Sequence, residues 1–294
     1  MNKITIQDYK DSWNINIDKF KVLYSKNQEE KYRIIRTLKH VIQKEEKSEY
    51  ESTSSTPIDL IINEKKLDLK NLKMYMFTTE SNFADDFKIS SKSLISDYLE
   101  SVLQNVEYTD EYQMLESSMK LFATELLSRF SIISKDNSLN FSMSTLSVKL
   151  IMKLIEIYLI KNEEYSLDFD FSLLEKLEFI NELVKKISSI HIEQRILLIV
   201  LLDKLDDKYY DLLSTHEIEN LHILCFVNEV DCSVHMNDLF IIGKASLDFS
   251  DDEQLFEKMI IEQGLYNDLT ELKFDISDKL RNKLETTKLI NFLV

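Results

Sequence analysis

The chain has 294 residues, of which 44% are hydrophobic and 30% charged, so it has the composition of a globular protein with a sizeable core. Its two glycines and single proline exclude glycine-rich dinucleotide fingerprints and nucleophile elbows. A formal net charge of −16 argues against whole-surface attraction to nucleic acid or to an anionic membrane, but it allows a local basic patch. The two cysteines fit a reducing compartment, and we expect a cytoplasmic protein without a membrane partner.

The first third of the chain has the pattern of a β-rich region with one helix set against it. Strands are predicted where β-branched and aromatic residues dominate, and the helix where apolar residues recur every three or four positions. In chain order the predicted elements are strands at 3–6 and 15–24, a helix at 28–44, a hairpin at 58–69 and a strand at 73–78.

From about residue 85 the apolar period becomes helical. Tyr112, Leu115, Met119 and Phe122 recur at helical steps, and we expect these positions to lie in a core rather than to bind a cofactor. Further helices are predicted at 95–106, 143–160 and 172–188. The region 85–191 is therefore predicted to be an α-helical domain.

Strand patterns return after this helical region. Residues 196–202 form an apolar run without alternation, which is typical of a strand buried on both faces of a parallel sheet. A helix at 206–214 and strands at 221–227 and 239–242 follow. We therefore predict an α/β fold in which residues 1–84 and 192–250 form one discontinuous head with a mostly parallel sheet. Residues 85–191 would be a large α-helical insertion, and 251–294 a helical C-terminal extension.

The strand, loop and helix over 15–44 have the layout of a phosphate-binding loop, G-x-x-x-x-G-K-[ST]. Lys31 falls on the lysine of that pattern, but Ser25 and Glu30 replace the glycines and Tyr32 replaces the hydroxyl residue. Asp203 follows an apolar strand, as does the aspartate that holds magnesium in such sites. We interpret the head as a degenerate P-loop-ATPase-like domain that is not an enzyme and holds no nucleotide.

Two further site types are weaker candidates. His222 with Cys225 and Cys232 with His235 have zinc-ligand spacing, but residues three apart on a strand point to opposite faces. Acidic pairs or runs occur at 85–86, 206–207 and 250–253, without the spacing of a calcium loop. The first turns of helices favour acids, and this accounts for most of them.

A basic segment stands out in this acidic chain. Between residues 19 and 44 there are eight Lys/Arg and two acidic residues, a local charge of +6. Such a segment either contacts DNA phosphates without reading sequence, or pairs with acidic surface of this chain or of a partner. The candidate DNA-binding residues are Lys21, Lys26, Lys31, Arg33, Arg36 and Lys39.

The order of elements resembles the small accessory subunit of type II-A CRISPR adaptation, in its longer-chain subfamilies. The resemblance is carried by the degenerate strand–loop–helix at 15–44 and by the helical region near 90–190. Its most specific part runs from Leu174-Glu175-Lys176 through the strands at 196–200, 221–227 and 240–242.

This resemblance implies an ATPase-like head without ATPase activity and a homotetrameric ring whose basic inner wall encircles double-stranded DNA. The ring would slide inward from DNA ends and work beside the adaptation integrase and the effector nuclease during spacer acquisition. Family members bind calcium through acids of the helical region, and the corresponding break here, residues 135–140, is poorer in carboxylates. Two alternatives stay open: a degenerate ABC- or SMC-like regulatory protein with a protein partner, and an unconventional NTPase.

Overall fold

The structure is a computed structural model that describes residues 2–8, 11–25, 27–43, 58–62, 65–66, 68–81, 93–104, 109–129, 132–134, 137–139, 147–243, 246–261 and 268–281. The chain forms two units. Unit 1 comprises Met1–Ser81, Leu173–Ser188 and Ile192–Val294, and unit 2 comprises Asn82–Ser172 and Ser189–His191. The segment 173–188, which the sequence assigned to the helical domain, thus lies in unit 1 together with the C-terminal extension.

The helices and strands, in chain order, are β1 (Asn2–Gln7), β2 (Ser12–Ile17), β3 (Phe20–Tyr24), α1 (Gln28–Gln43), β4 (Ile58–Ile62), β5 (Lys65–Lys66), β6 (Leu72–Thr78), α2 (Leu94–Leu103), α3 (Thr109–Ser128), β7 (Ile132–Ser134), β8 (Asn137–Leu139), α4 (Val148–Met152), β9 (Leu159–Lys161), β10 (Glu164–Ser166), α5 (Leu173–Ile190), β11 (Arg195–Leu201), β12 (Lys204–Asp206), α6 (Asp207–Ser214), β13 (Leu221–Val227), β14 (Glu229–Asp231), β15 (Leu239–Ile241), β16 (Leu247–Asp248), α7 (Asp252–Ile261) and α8 (Leu269–Arg281). No helix among the described residues combines the length and apolarity needed to cross a membrane.

Unit 1 is built on a six-stranded sheet with the order β16-β15-β3-β13-β11-β6. Its pairings are parallel except for β15 with β16. Every residue of β13 is buried, as is every residue of β3, because both faces of the sheet are covered. The predicted mostly parallel sheet, shared by the first and last parts of the chain, is confirmed.

The predicted single strand over 15–24 is wrong, because the chain bends at Asp18 and Lys19. The residues before the bend belong to β2 in a second, antiparallel sheet with the order β2-β1-β4-β5, and those after it to β3 in the central sheet. The two strands differ in burial, since β2 alternates between buried and exposed positions whereas β3 is buried throughout. The loss of alternation at Phe20 is the sign of the boundary.

One hydrophobic core joins the six-stranded and the four-stranded sheets of unit 1 to α1. Ile4 and Ile15 from the antiparallel sheet, Ile34 and Leu38 from α1, and Phe226 from the central sheet are among its buried members. The two α1 residues are four positions apart and therefore share one face of the helix. This packing fixes α1 directly behind the loop that ends β3, and so it positions the candidate site.

Unit 2 contains β-hairpins as well as helices, so its prediction as an all-helical domain is wrong. Strand β7 pairs with β8 and β9 with β10, both antiparallel. Among the described residues 147–160 of the predicted helix 143–160, only Val148–Met152 is helical, and Leu159–Lys161 is a strand. The turn between β9 and β10 places Asn162 and Glu163 at positive φ, which gives the twist of a tight two-residue hairpin.

Helix α3 exists as predicted, but its apolar residues do not form a core. Among its described side chains Phe122 is 64% exposed and Leu115 is 45% exposed, Tyr112 and Met119 are half-buried, and Ala123 is buried. Helical periodicity identifies the apolar face of a helix, but it does not tell whether another element covers that face.

A buried ion pair lies at the edge of the central sheet. The Lys21 side chain is 1% exposed, and its Nζ is 2.5 Å from Asp248 Oδ1 and donates to the carbonyl oxygen of Asn237. Asp248 also accepts hydrogen bonds from the backbone N–H groups of Asn16 and Ser250. Burial lowers the pKa of Lys21, while Asp248 opposes that shift. The pair thus links β2, β3 and β16.

We predict that Asp248→Ala lowers the free energy of unfolding by about 3–5 kcal/mol, because it leaves the buried Lys21 ammonium without its counter-charge. Urea unfolding followed by circular dichroism measures the change. Glu257→Ala, at an exposed position of α7, is the matched control and is expected to stay within about 0.5 kcal/mol of the parent protein. Equal stability of the two variants would contradict the structural role of the pair.

Candidate functional site

The carboxyl ends of β3, β13 and β11 meet at one edge of the central sheet, where open α/β sheets usually bind ligands. Ser25 follows β3, Asn228 follows β13 and Asp203 lies two residues beyond β11. The backbone N–H groups of Asn228 and Glu229 both donate to the carbonyl oxygen of Asp203, at 3.1 and 3.0 Å. The structure therefore brings the two predicted nucleotide-site residues, Lys31 and Asp203, to the same edge.

Ser25 occupies the position of the first glycine of the phosphate-loop pattern. It is fully buried, and its Oγ hydrogen-bonds the carbonyl oxygens of Asn27 and Ile242 at 3.0 and 3.1 Å. Its backbone N–H points to the carbonyl of Val227 at 3.4 Å. Ser25 is thus held by contacts within the chain.

Asn27 caps α1. Its Oδ1 accepts hydrogen bonds from the backbone N–H groups of Glu29 and Glu30 at 3.1 and 3.4 Å. These are the groups that would bind a phosphate at a helix N-terminus. The cap and the two acidic side chains that follow it disfavour an anion at this end of α1.

Lys31 also has an internal partner. Its side chain is buried, and its Nζ donates to Asn228 Oδ1 at 2.6 Å. Asn228 Nδ2 in turn lies 3.4 Å from Asp203 Oδ1, which completes a chain from Lys31 to Asp203. Burial lowers the pKa of the Lys31 amine, and the charge of Asp203 opposes that shift.

The residues present do not fit a magnesium nucleotide. Tyr32, at the position of the metal-binding hydroxyl, is 64% exposed, and Lys31 is held by Asn228. A P-loop binds phosphate through free backbone N–H groups at this helix end, whereas Asn27 occupies two of them here. We therefore derive no phosphoryl-transfer step from this edge of the sheet.

The zinc hypothesis does not fit the structure either. His222 is fully buried, with Nδ1 2.8 Å from the carbonyl oxygen of Asp18, and burial lowers its pKa to about 4. Burial also raises the pKa of the Cys225 thiol and that of Cys232, the latter to about 12. Within the described part of the chain, no cluster of three His, Cys, Asp or Glu residues could hold a metal ion.

Two of the acidic runs serve helix starts, as the sequence predicted. Asp206 Oδ1 accepts from the backbone N–H of Tyr209 at the start of α6, and Asp251 Oδ1 accepts from that of Gln254 in α7. The pair at 85–86 lies outside the described residues, as do residues 135, 136 and 140 of the segment discussed for calcium, whereas 137–139 form β8.

The structure separates the six predicted DNA-binding residues. Lys21 and Lys31 are buried, so they cannot contact DNA at the surface of this fold. Arg33 donates to Asp8 through Nε and Nη2 at 2.8 and 2.6 Å, and to Asp11 through Nη2 at 2.6 Å. The alternative in which the basic helix pairs with acids of the same chain therefore applies to Arg33.

Arg36 and Lys39 are exposed on α1. They are three positions apart and share one helix face, so they form a compact basic surface. Lys26 lies outside the described residues. We call Arg36 and Lys39 together the α1 basic face.

Sequence reasoning missed three residues that control this region: Asn27, Asn228 and Asp248. Asn27 precedes the helix pattern, which is the usual signal of an N-cap. Asn228 directly follows a fully apolar strand, and polar residues at that point in parallel sheets lie at the ligand-binding edge. Nothing in the sequence joins Asp248 to Lys21, because 227 positions separate them.

Comparisons with known proteins give a fold relationship only. No family model matches the chain, and no curated protein matches it. The chain is similar to the crystal structure of Stu0660 of Streptococcus thermophilus, with a TM-score of 0.68 and 13% sequence identity. The match covers 95% of this chain and 86% of that chain. The two proteins therefore share a fold.

We predict that the contribution of His222 to stability falls by about 3 kcal/mol as the pH drops from 6.5 to 4, because His222 protonates near pH 6.5 when unfolded but only near pH 4 when folded. Between these values the unfolded state binds more protons, so acid favours unfolding. Urea unfolding at several pH values measures the slope. His222→Phe should flatten it. An unchanged slope in His222→Phe would contradict this assignment.

We predict that magnesium ATP gives no saturable heat of binding in calorimetry, because Asn27 and Asn228 occupy the groups that would hold its phosphates. Lys31→Met should give the same flat titration. Saturable binding to the parent protein that is lost in Lys31→Met would contradict the conclusion that Asn27 and Asn228 block the phosphate site. It would favour a nucleotide hydrolase.

Proposed function

We propose that this protein is a non-catalytic, sequence-independent binder of double-stranded DNA ends that acts in CRISPR spacer acquisition in the cytoplasm. It works as a homotetrameric ring with a basic lumen, beside the adaptation integrase and the effector nuclease. The observation that carries the proposal is the α1 basic face, two exposed cations on one helix of a chain with a net charge of −16. The sequence resemblance described above supplies the biological setting.

The non-catalytic part of the proposal rests on the edge of the central sheet. In a degenerate P-loop-like head, the lysine would still lie at the end of the loop, but the loop would no longer bind a nucleotide phosphate. Lys31 with its Asn228 partner, and the Asn27 cap of α1, fit that description. The head would then serve as a rigid support for α1, whose inner face packs into the core through Ile34 and Leu38.

Charge favours a ring over side-on binding. An acidic exterior repels a phosphate backbone, so attraction has to be concentrated where several α1 basic faces surround the same duplex. One chain offers only Arg36 and Lys39, and two phosphate contacts give weak binding at physiological salt. Four copies would offer eight such cations around one duplex.

This count makes the salt dependence informative. Each neutralised phosphate lowers the slope of log K against log salt by about 0.9, so one chain gives about −2 and four chains about −7. A steep slope supports the ring, and a slope near −2 supports a single chain bound to one side of the duplex.

We expect electrophoretic shift assays to show binding to linear duplex DNA and none to covalently closed circles of the same sequence. A closed circle has no end through which a preformed ring can be threaded. Blocking both ends of the linear duplex with streptavidin should also abolish the shift. Equal binding to closed circles would overturn the threading part of the proposal.

Charge reversal tests the α1 basic face. Arg36→Glu and Lys39→Glu should each weaken binding to linear DNA at least tenfold in the tetramer, because each removes four cations from the lumen at once. Lys208→Glu, an exposed position of α6, is the matched control with the same change in charge and should bind normally. Arg33 is a poor test position, since its reversal would also break the pairs with Asp8 and Asp11. Normal binding by both α1 variants would place the DNA elsewhere.

A further inference from the structure

Unit 1 contains a cavity of about 240 Å³, and Glu30 in the first turn of α1 is one of its lining residues. Its walls include Trp13 and Asn14 of β2, Phe240 of β15 and Gln254 of α7. Asp11, just before β2, also lines it. The cavity therefore combines two carboxylates with an indole ring.

Glu30 supplies the unsatisfied group. Its Oε2 is buried without a hydrogen-bond partner among the described residues. A buried carboxylate oxygen without a donor is costly, and a cationic donor is the partner that would relieve that cost. Burial raises the pKa of Glu30, Arg33 lowers it, and Asp11 and Glu29 raise it further. A bound cation would offset these unfavourable contributions.

The same wall already binds one guanidinium. Arg33 makes ion pairs with Asp8 and Asp11, and its Cζ lies 5.3 Å from the centre of the Trp13 ring. Carboxylates arranged beside an aromatic ring are suited to a planar, delocalised cation. Arg33 satisfies Asp11 in this way, which leaves Glu30 as the acceptor for a second cation.

The size of the cavity restricts the ligand. Sites for drug-sized molecules enclose about 300–1,000 Å³, and this cavity of about 240 Å³ is smaller. The charged end of a long, flexible side chain fits into this cavity, whereas a nucleotide does not. The carboxylates also disfavour a phosphate or any other anion.

We infer that this cavity binds the guanidinium group of an arginine, with Glu30 as its carboxylate partner and Trp13 beside it. The guanidinium group belongs either to an arginine residue of another protein or to free arginine. Free arginine carries an ionised α-carboxylate. A peptide arginine lacks that negative charge, which Glu30 and Asp11 would repel.

Trp13 makes the test direct, because it is the only tryptophan of the chain. Its fluorescence is followed while Nα-acetyl-arginine amide is added at constant ionic strength. We expect a saturable change and no change with the neutral, isosteric Nα-acetyl-citrulline amide. Free arginine is titrated in parallel. Tighter binding of the amide derivative than of free arginine indicates an arginine residue of a protein as the ligand, and tighter binding of free arginine indicates the amino acid. The thermal unfolding midpoint should rise with the same ligand specificity.

Glu30→Gln should weaken the binding of the arginine derivative roughly tenfold or more, because it removes the charged acceptor. Glu29→Gln, at the neighbouring exposed position, is the matched control and should retain the parent affinity. No saturable response in the parent protein would overturn the inference. So would an equal response to the citrulline derivative, equal losses in the two variants, or a response to calcium chloride alone.

Discussion

The architecture of unit 1 depends on the buried contact between Lys21 and Asp248. A charge moved from water into a protein interior is tolerated only when it is paired and hydrogen-bonded. Here the ammonium is surrounded by the Asp248 carboxylate, the carbonyl oxygen of Asn237 and the hydroxyl of Ser250. These partners come from late in the chain, whereas Lys21 comes from β3. The ion pair thereby ties the last strands of the sheet to the strand that leads into α1, and α1 carries both surfaces for which we propose ligands.

Much of the fold followed from apolar patterns. Uninterrupted apolar runs predicted β11 and β13, and helical spacing predicted α1 and α5, because burial on two faces or on one stripe leaves a direct mark on the sequence. The break between β2 and β3 was missed, since apolar residues continue on both sides of Asp18. Unit 2 was predicted less well. Short hairpins such as β9–β10 contain few residues, and their turn uses Asn162 and Glu163 in place of the glycine that would have indicated it.

The candidate site was predicted in outline but not in detail. The positions of Lys31 and Asp203 at one sheet edge followed from their places after apolar strands. Their state did not, because it depends on Asn228, which lies 197 residues from Lys31 in the chain. The count of Lys and Arg residues between positions 19 and 44 gave a misleading list of DNA-binding residues for the same reason. It treated Lys21 as surface charge although it lies inside a fully buried strand, and that strand pattern was the available signal of its burial.

Helix α1 has an asymmetric charge distribution that relates the two proposals. Its first turn carries Glu29 and Glu30, and later turns carry Arg33, Arg36 and Lys39. This order favours the helix itself, since acids stabilise the positive N-terminal end of the helix dipole. It also separates two ligand chemistries along one element. The acidic turn lines a cavity suited to a cation, and the exposed basic turns suit a phosphate backbone. Because the core holds the helix by Ile34 and Leu38, a ligand at Glu30 and a ligand at Arg36 would both contact the same anchored helix.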